Sequence, residues 1–192
     1  MIPEPITTTS DECVLKIFQA VWGLVLQYLR DSILLLVQLP DLRTRKSDQQ
    51  NCLVQFHSDI RSDKIEKLKK NPNAAMLFYD KEEKIQVRLK VECTVNHNND
   101  VTKESWSKTQ HISRKCYLVD NGPGTESDIP TSGLKPELDN FEFTMEQSEE
   151  GYKNFTVIQC KVKSIEWLYL AAKGHRRARF DIETNKDTWL VP

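Results

Sequence analysis

A mainly β fold, with antiparallel strands and flanking helices, follows from three features of the sequence. Residues 84–95 alternate without a break: Ile85, Val87, Leu89, Val91, Cys93 and Val95 against Lys84, Gln86, Arg88, Lys90, Glu92 and Thr94. One face of that strand suits a core and the other suits water. Phe155–Leu170 is a second long β-rich run. Strand-like segments also outnumber helical ones and lie close together in sequence, which favours an antiparallel barrel over a parallel βαβ sheet.

The elements follow in order. Residues 1–10 form a Pro- and Thr-rich tail. Ser10 and Asp11 are candidate caps for a helix carrying Val14, Phe18, Val21, Val25 and Leu29 at helical spacing, which reads as a core helix. Ser32–Leu39 is an apolar segment between Asp31 and Pro40, either a short buried strand or the last turns of that helix. Cys52–Ser58 reads as a strand, and Ser62–Lys70 as a short helix with Ile65 and Leu68 inward and its lysines outward. Asn71-Pro72-Asn73 stops it, and Ala74–Tyr79 is the next strand. After the strand at 84–95, residues 99–118 look helical. Residues 119–140 hold three glycines and three prolines and form a long excursion. A short acidic helix near 144–153 leads into Phe155–Leu170. Ala171–Gly174 is a turn, His175–Ile182 a strand and Trp189–Val191 a closing strand.

At 192 residues and 22.3 kDa the chain has the size of one domain with a real core. We expect a tail and helix over 1–30 and the main domain over 31–192. Apolar residues make up 39% and charged residues 29%, an ordinary globular balance. Lys plus Arg is 27 against 28 for Asp plus Glu, so no overall basic field points to nucleic acid. Cysteines at 13, 52, 93, 116 and 160 are spaced 39, 41, 23 and 44 apart, with no C-x-x-C pair. They read as buried free thiols in a reducing compartment. The histidines at 57, 97, 111 and 175 form no ligand cluster, so no metal is expected. The uncharged run Ile17–Leu29, 13 residues long, is too short to span a membrane. Glu4, Asp11 and Glu12 precede it instead of the basic residues of a signal peptide. The expected location is cytoplasmic, with no membrane and no nucleic-acid partner.

Two clusters carry candidate chemistry. His57-Ser58-Asp59-Ile60-Arg61-Ser62-Asp63-Lys64 runs from a strand end into a helix start. Ser62 can cap the helix, and Ser58 and Lys64 add a hydroxyl and an ammonium where first-turn N–H groups favour an anion. The plainer alternative is a capped surface helix with solvated lysines. In the second cluster, His175, Arg177 and Arg179 share one face of a strand. Arginine forks suit phosphate, but a soluble edge strand would carry the same charges. Trp167 by itself reads as core, and Gln86 by itself is uninformative. No Ser-His-Asp or Cys-His set assembles.

These pieces, in this order, resemble the pyridoxamine 5′-phosphate oxidase-like FMN-binding split-barrel family. The resemblance runs from about Leu42 to Pro192. It rests on Arg43-Thr44, the His57–Lys64 cluster with Phe56 before it, Asn71-Pro72, Gln86-Val87-Arg88, Glu166-Trp167-Leu168, His175–Phe180 and the closing Trp189-Leu190-Val191-Pro192. It implies a six-stranded antiparallel split barrel that forms a homodimer with FMN in clefts between subunits. It also implies that His57, Ser58, Ser62 and Lys64 hold the flavin phosphate, with Arg43 and Arg45 at the phosphate and ring. Gln86 would bond the isoalloxazine, and Trp167 and Arg179 would come from the partner subunit. His175 and Arg177 would face a small-molecule substrate.

The chain departs from the family where it reads Arg43-Thr44-Arg45-Lys46, without the three apolar residues that usually separate the arginines. The N-terminal barrel segment is thus shortened or divergent, and Ser32–Pro40 lacks the expected Gly turn. Asp63 stands where the oxidases have a basic residue, and 99–118 does not reproduce their substrate-phosphate segment. Two readings of function follow. One is an FMN-dependent oxidoreductase moving a hydride from or to a small molecule. The other is a non-catalytic flavin-binding or structural dimer, its flavin site weakened by the shortened Arg43–Arg45 segment.

Overall fold

The structure, a computed structural model, describes residues 51–139 and 143–192 in full, together with the backbone of 34–36, 39–42 and 44–48. The expected N-terminal helix and Arg43 lie outside the described residues, as does the side chain of Arg45.

Among the described residues nine strands form one sheet: β1 (Leu34–Leu36), β2 (Leu39–Leu42), β3 (Thr44–Asp48), β4 (Leu53–Asp59), β5 (Asn73–Asp80), β6 (Ile85–Asn96), β7 (Phe155–Tyr169), β8 (Arg176–Asp181) and β9 (Lys186–Leu190). Their order is β2-β1-β5-β6-β7-β4-β3, with β8 pairing β7 and β9 pairing β8. Every register that is resolved is antiparallel. The Ser32–Leu39 segment is thus strand, not helix, at Leu34–Leu36. Helices α1 (Asp63–Lys70), α2 (Asp100–Ser107), α3 (His111–Arg114) and α4 (Met145–Glu149) join the strands, with short 3₁₀ turns at Lys115–Tyr117, Pro136–Leu138 and Glu150–Asn154.

The chain divides into two compact units. Unit 1 takes the described residues through Val54, with Asn73–Glu92 and Lys161–Pro192; unit 2 takes Gln55–Pro72 and Cys93–Cys160.

In unit 1 the alternation of β6 holds, with Ile85, Val87, Leu89 and Val91 buried. Met76, Phe78, Ile165 and Phe180 of the same unit are buried as well. Two hairpins close in the same way. Asp80 Oδ1 accepts the Glu83 N–H at 2.8 Å, and Asp181 Oδ1 accepts the Thr184 N–H at 2.9 Å. Lys84 and Asn185 then adopt left-handed backbone (φ 55° and 51°) just before the returning strand, as four-residue hairpin loops built on a type I turn require. In β7 the alternation breaks, since Ser164 and Ile165 are both buried. Strand β8 begins at Arg176, so His175 falls in the turn after Gly174 (φ 116°) and outside the strand expected for it. The closing strand starts earlier than its apolar residues suggested, at Lys186, because β9 pairs along β8 from Asp181↔Lys186.

In unit 2 helix α1 buries Ile65 and Leu68, three residues apart on one face, and ends where Asn71 turns extended ahead of Pro72. Asn99 caps α2 reciprocally with Thr102, and Thr144 caps α4 with Gln147. Trp106, Tyr117, Phe155 and Val157 form one apolar cluster, and Leu118, Leu138 and Phe143 another. Arg114 is 4% exposed. Its guanidinium lies 4.5 Å over the Trp106 ring and donates to the Trp106 carbonyl at 2.8 Å. It also donates to Glu149, whose other oxygen accepts the Trp106 indole N–H at 2.8 Å.

Candidate functional site

The residues singled out in the sequence fall into both units. In unit 2 the chain leaves β4 at Asp59 and turns through Ile60, Arg61 and Ser62 into α1. Asp59 organises this turn. One of its oxygens accepts the Arg61 backbone N–H at 2.8 Å and Nε at 3.0 Å; the other accepts Nη2 at 2.8 Å. That carboxylate raises the Arg61 guanidinium above its already high pKa. The outer nitrogens of Arg61 reach the carbonyls of Asp120 at 2.9 Å and Val119 at 3.1 Å. Gly122 lies so close that a Cβ there would sit 3.0 Å from Arg61 Cβ. A shallow pocket beside Arg61 is bordered by Tyr117, Leu118, Lys135, Lys153 and Asn154.

Ser62 is the N-cap of α1 by its backbone (φ −70°, ψ 137°), but its hydroxyl makes no cap bond. This corrects the expectation that its side chain closes the helix. Asp59 and Arg61 already order the turn, and the backbone supplies the bond from Ile65 N–H to the Ser62 carbonyl at 2.8 Å. Ser58 and Ser62 are both buried. Lys64, in the first turn of α1, is half-buried, while Asp63 is exposed. His57 is half-buried on the other side of β4, its ring edge-on to Phe155 at 4.8 Å. Unit 2 therefore sets a buried hydroxyl, Ser62, and a half-buried lysine, Lys64, at one helix start, where the peptide dipoles favour an anion, while the buried Ser58 hydroxyl on the preceding strand donates to the Asp59 carbonyl at 3.4 Å.

In unit 1, Gln86 is half-buried and stands opposite Tyr79 in the β5–β6 register. Glu166 stands opposite Arg179 in the β7–β8 register. Its carboxylate accepts from Arg177 at 2.7 Å, and Arg88 lies 3.6 Å away. Trp167 points to the other face, opposite Ala178, and stacks on Tyr169 with centroids 6.2 Å apart. Along β8, Ala178 and Phe180 are buried while Arg177 and Arg179 are not, so the two arginines share the face away from the core. His175, outside the strand and exposed, does not extend that row. The structure thus sets Arg88 and Arg177 against one carboxylate, with Arg179 opposite it in the register, and places Trp167 on the opposite face.

Two groups escaped the reading of the sequence. Glu166 as the partner of Arg177 was hidden by the irregularity in β7. The grip of Arg61 on residues 119–120 was hidden by distance along the chain, although Asp59-x-Arg61 is the spacing of a side-chain-closed turn. Among the described residues no cluster of three metal-ligating side chains occurs. None of their helices is long and apolar enough to cross a membrane.

Comparison with known proteins covers the first cluster by sequence and the whole chain by fold. Residues 35–97 match the family model of the pyridoxamine 5′-phosphate oxidase FMN-binding domain. No curated protein matches the sequence. Among solved structures, the chain is similar to a pyridoxamine 5′-phosphate oxidase-related, FMN-binding protein from Nostoc punctiforme. Identity is 16% and the TM-score 0.63, over 98% of this chain and 100% of that one. It is similar to PhzG from Burkholderia lata, solved with tetrahydrophenazine-1-carboxylic acid, at 14% identity and TM-score 0.65 over 100% and 98%. It is also similar to a general stress protein 26-related protein of the pyridoxinephosphate oxidase family from Clostridium acetobutylicum. There identity is 12% and the TM-score 0.52, over 88% and 99%. At such identities the likeness speaks for the fold, and the mainly β, antiparallel split-barrel class expected from the sequence is the one observed. The match over residues 35–97, across β1 to β6, is to the FMN-binding domain of that family, and over the whole chain the fold is the split barrel of these neighbours.

Proposed function

We propose that the protein binds FMN by its phosphate at the β4–α1 turn and works as an FMN-dependent oxidoreductase on a small molecule. The observation that carries this reading is Ser62, which opens α1 while its buried hydroxyl stays out of the cap. With Ser58 Oγ and the Lys64 ammonium it offers hydroxyl and charge-assisted donors suited to a phosphate monoester. Arg61 is not counted among them, because Asp59, Val119 and Asp120 occupy its guanidinium. Bound FMN supplies hydride chemistry at its N5. The chain's part is to bind and orient, and no side chain is required as a nucleophile. By resemblance, His57 joins Ser58, Ser62 and Lys64 in holding the phosphate, and Arg43 and Arg45 serve the phosphate and ring. Gln86 bonds the isoalloxazine, and Trp167 and Arg179 act across a homodimer. His175 and Arg177 meet the substrate, and the setting is cytoplasmic.

Titration with FMN and with riboflavin, followed by flavin fluorescence, tests the phosphate site. FMN should bind and riboflavin should bind far more weakly. Lys64→Ala should lower FMN affinity roughly 10- to 150-fold, the loss of a charge-assisted bond of about 1.5–3 kcal/mol, and leave riboflavin unchanged. Equal binding of the two flavins would remove the site.

A second reading, a flavin-binding dimer without turnover, is favoured by the bond between Arg177 and Glu166 at 2.7 Å, which occupies a cation assigned to substrate. Oxygen uptake with pyridoxamine or pyridoxine 5′-phosphate, and reduction of bound flavin by NADH or NADPH, separate the two. A protein that holds FMN yet does neither supports the second reading.

A further inference from the structure

We propose that Cys93 and Cys160 form a reversible intrachain disulfide, a redox-sensitive clasp within unit 2. The proposal is independent of the flavin reading. The two sulfur atoms lie 3.0 Å apart although the residues are 67 positions apart in sequence. Cys93 is on β6 and Cys160 on β7, neighbouring strands of the sheet. A disulfide bond is about 2.05 Å long, so closure needs the sulfurs to approach by only about 1 Å. Among the described residues the other cysteines are placed differently: Cys52 is half-buried, and Cys116 is exposed and donates to the Ser113 carbonyl.

In the reduced pair one thiol donates to the other sulfur. A bond received from Cys160 favours the thiolate at Cys93 and lowers its pKa, while Cys160, fully buried beside it, is pushed up. Cys93, the less buried of the two, therefore reacts first. With hydrogen peroxide as oxidant, the Cys93 thiolate attacks one oxygen and the O–O bond breaks. The departing hydroxide takes a proton to become water, leaving a sulfenic acid. Cys160 then gives up its proton and attacks Cys93 Sγ; the S–S bond forms, the S–O bond breaks and a second water leaves. Two thiols and one peroxide become one disulfide and two waters, the sulfurs losing the two electrons that the peroxide gains.

The position gives the bond its effect. Cys93 and Cys160 are the first and last residues of the longer segment of unit 2. Joining them closes that whole segment into a covalent ring, the kind of long loop for which cross-linking removes much of the freedom of the unfolded chain.

A Cys13→Ser, Cys52→Ser, Cys116→Ser variant keeps only the pair. Folded and reduced, then treated with hydrogen peroxide, it should lose both thiols on each chain. The Cys93 and Cys160 peptides should appear linked and lighter by two hydrogens. The chain should run faster on a non-reducing gel and revert with dithiothreitol. In urea the same link should form at least tenfold more slowly, because folding brings the sulfurs together. Adding Cys160→Ser should abolish the link, and if that variant does not fold, the comparison of folded with urea-unfolded protein decides. Persistence of both thiols in the folded, peroxide-treated protein, or equal rates folded and unfolded, would overturn the proposal.

Discussion

Two arginine–carboxylate clusters, one in each unit, use the same chemistry to different ends. In unit 2, Asp59 is almost wholly buried, its side chain 4% exposed, and takes three bonds from Arg61 alone. The leftover donors of that arginine reach carbonyls at 119 and 120, so the pair works as a latch between a turn and a distant loop. In unit 1, Glu166 is 20% exposed and lies between Arg177 and Arg88, which are 31% and 45% exposed, with Arg179 opposite in the register. There one negative charge meets several positive ones on an open sheet face. A saturated, buried pair fixes structure; an unsaturated, wet one leaves positive charge for something else to use.

The comparison predicts unequal costs of mutation. Arg61→Ala leaves the Asp59 carboxylate buried with little beyond one backbone N–H, and it frees the carbonyls of 119–120. It should cost about 3 kcal/mol in urea unfolding, the low end for breaking a buried pair because Arg61 itself is partly exposed. A loss under about 1 kcal/mol would mean that the latch is ornamental. Gly122→Ala pushes a methyl against Arg61 Cβ, near the backbone where nothing can swing aside, and should cost about 1–2 kcal/mol in the same assay. Glu166→Gln should cost at most about 1 kcal/mol while strengthening sulfate or phosphate binding to that face, measured by calorimetry. A loss as large as that of Arg61→Ala would erase the distinction.

The smallest effect concerns pH. Lys163 bonds both Glu183 at 2.6 Å and Glu92 at 2.8 Å. It holds the Glu92 carboxyl below its usual pKa, and its own pKa is raised, first by Glu183 and then by Glu92. The Glu92 contribution is therefore full above the ordinary glutamate value and lost as pH falls through the lower folded value. The Lys163 contribution is full below the ordinary lysine value and lost as pH rises through the higher folded one. Lys163→Met should flatten both flanks of a stability–pH curve and leave its neutral plateau almost unchanged in shape.

Local regularity was legible in the sequence. The alternation from Ile85 to Val91, the spacing of Ile65 and Leu68, and the stop at Asn71-Pro72 each follow from neighbours on one element, and each appears as expected. The order of motifs also carried the fold and the resemblance to the domain matched at residues 35–97. What stayed hidden depends on contacts between residues far apart. Arg61 meets Asp120 across 59 positions, and Cys93 meets Cys160 across 67. No periodicity encodes either meeting. The pairing of Glu166 with Arg177 was hidden for another reason, since Ser164 and Ile165 are buried side by side and a period-2 count carried through them assigns the wrong face. Ser62 was legible as a helix start, but not that its hydroxyl would stay out of the cap.

The contacts among Trp106, Arg114 and Glu149 form a closed triangle, each side chain touching the other two. Closed triangles constrain inheritance. Replacing the indole leaves Glu149 short of a donor and Arg114 short of its ring. Replacing the glutamate strands a buried guanidinium, and replacing the arginine uncovers the ring. Such changes are far from additive, so the route between two workable versions passes through poor intermediates. Among near relatives of this chain the three positions should therefore co-vary, kept together or exchanged together for an apolar set, and an alignment of them would show one linked character.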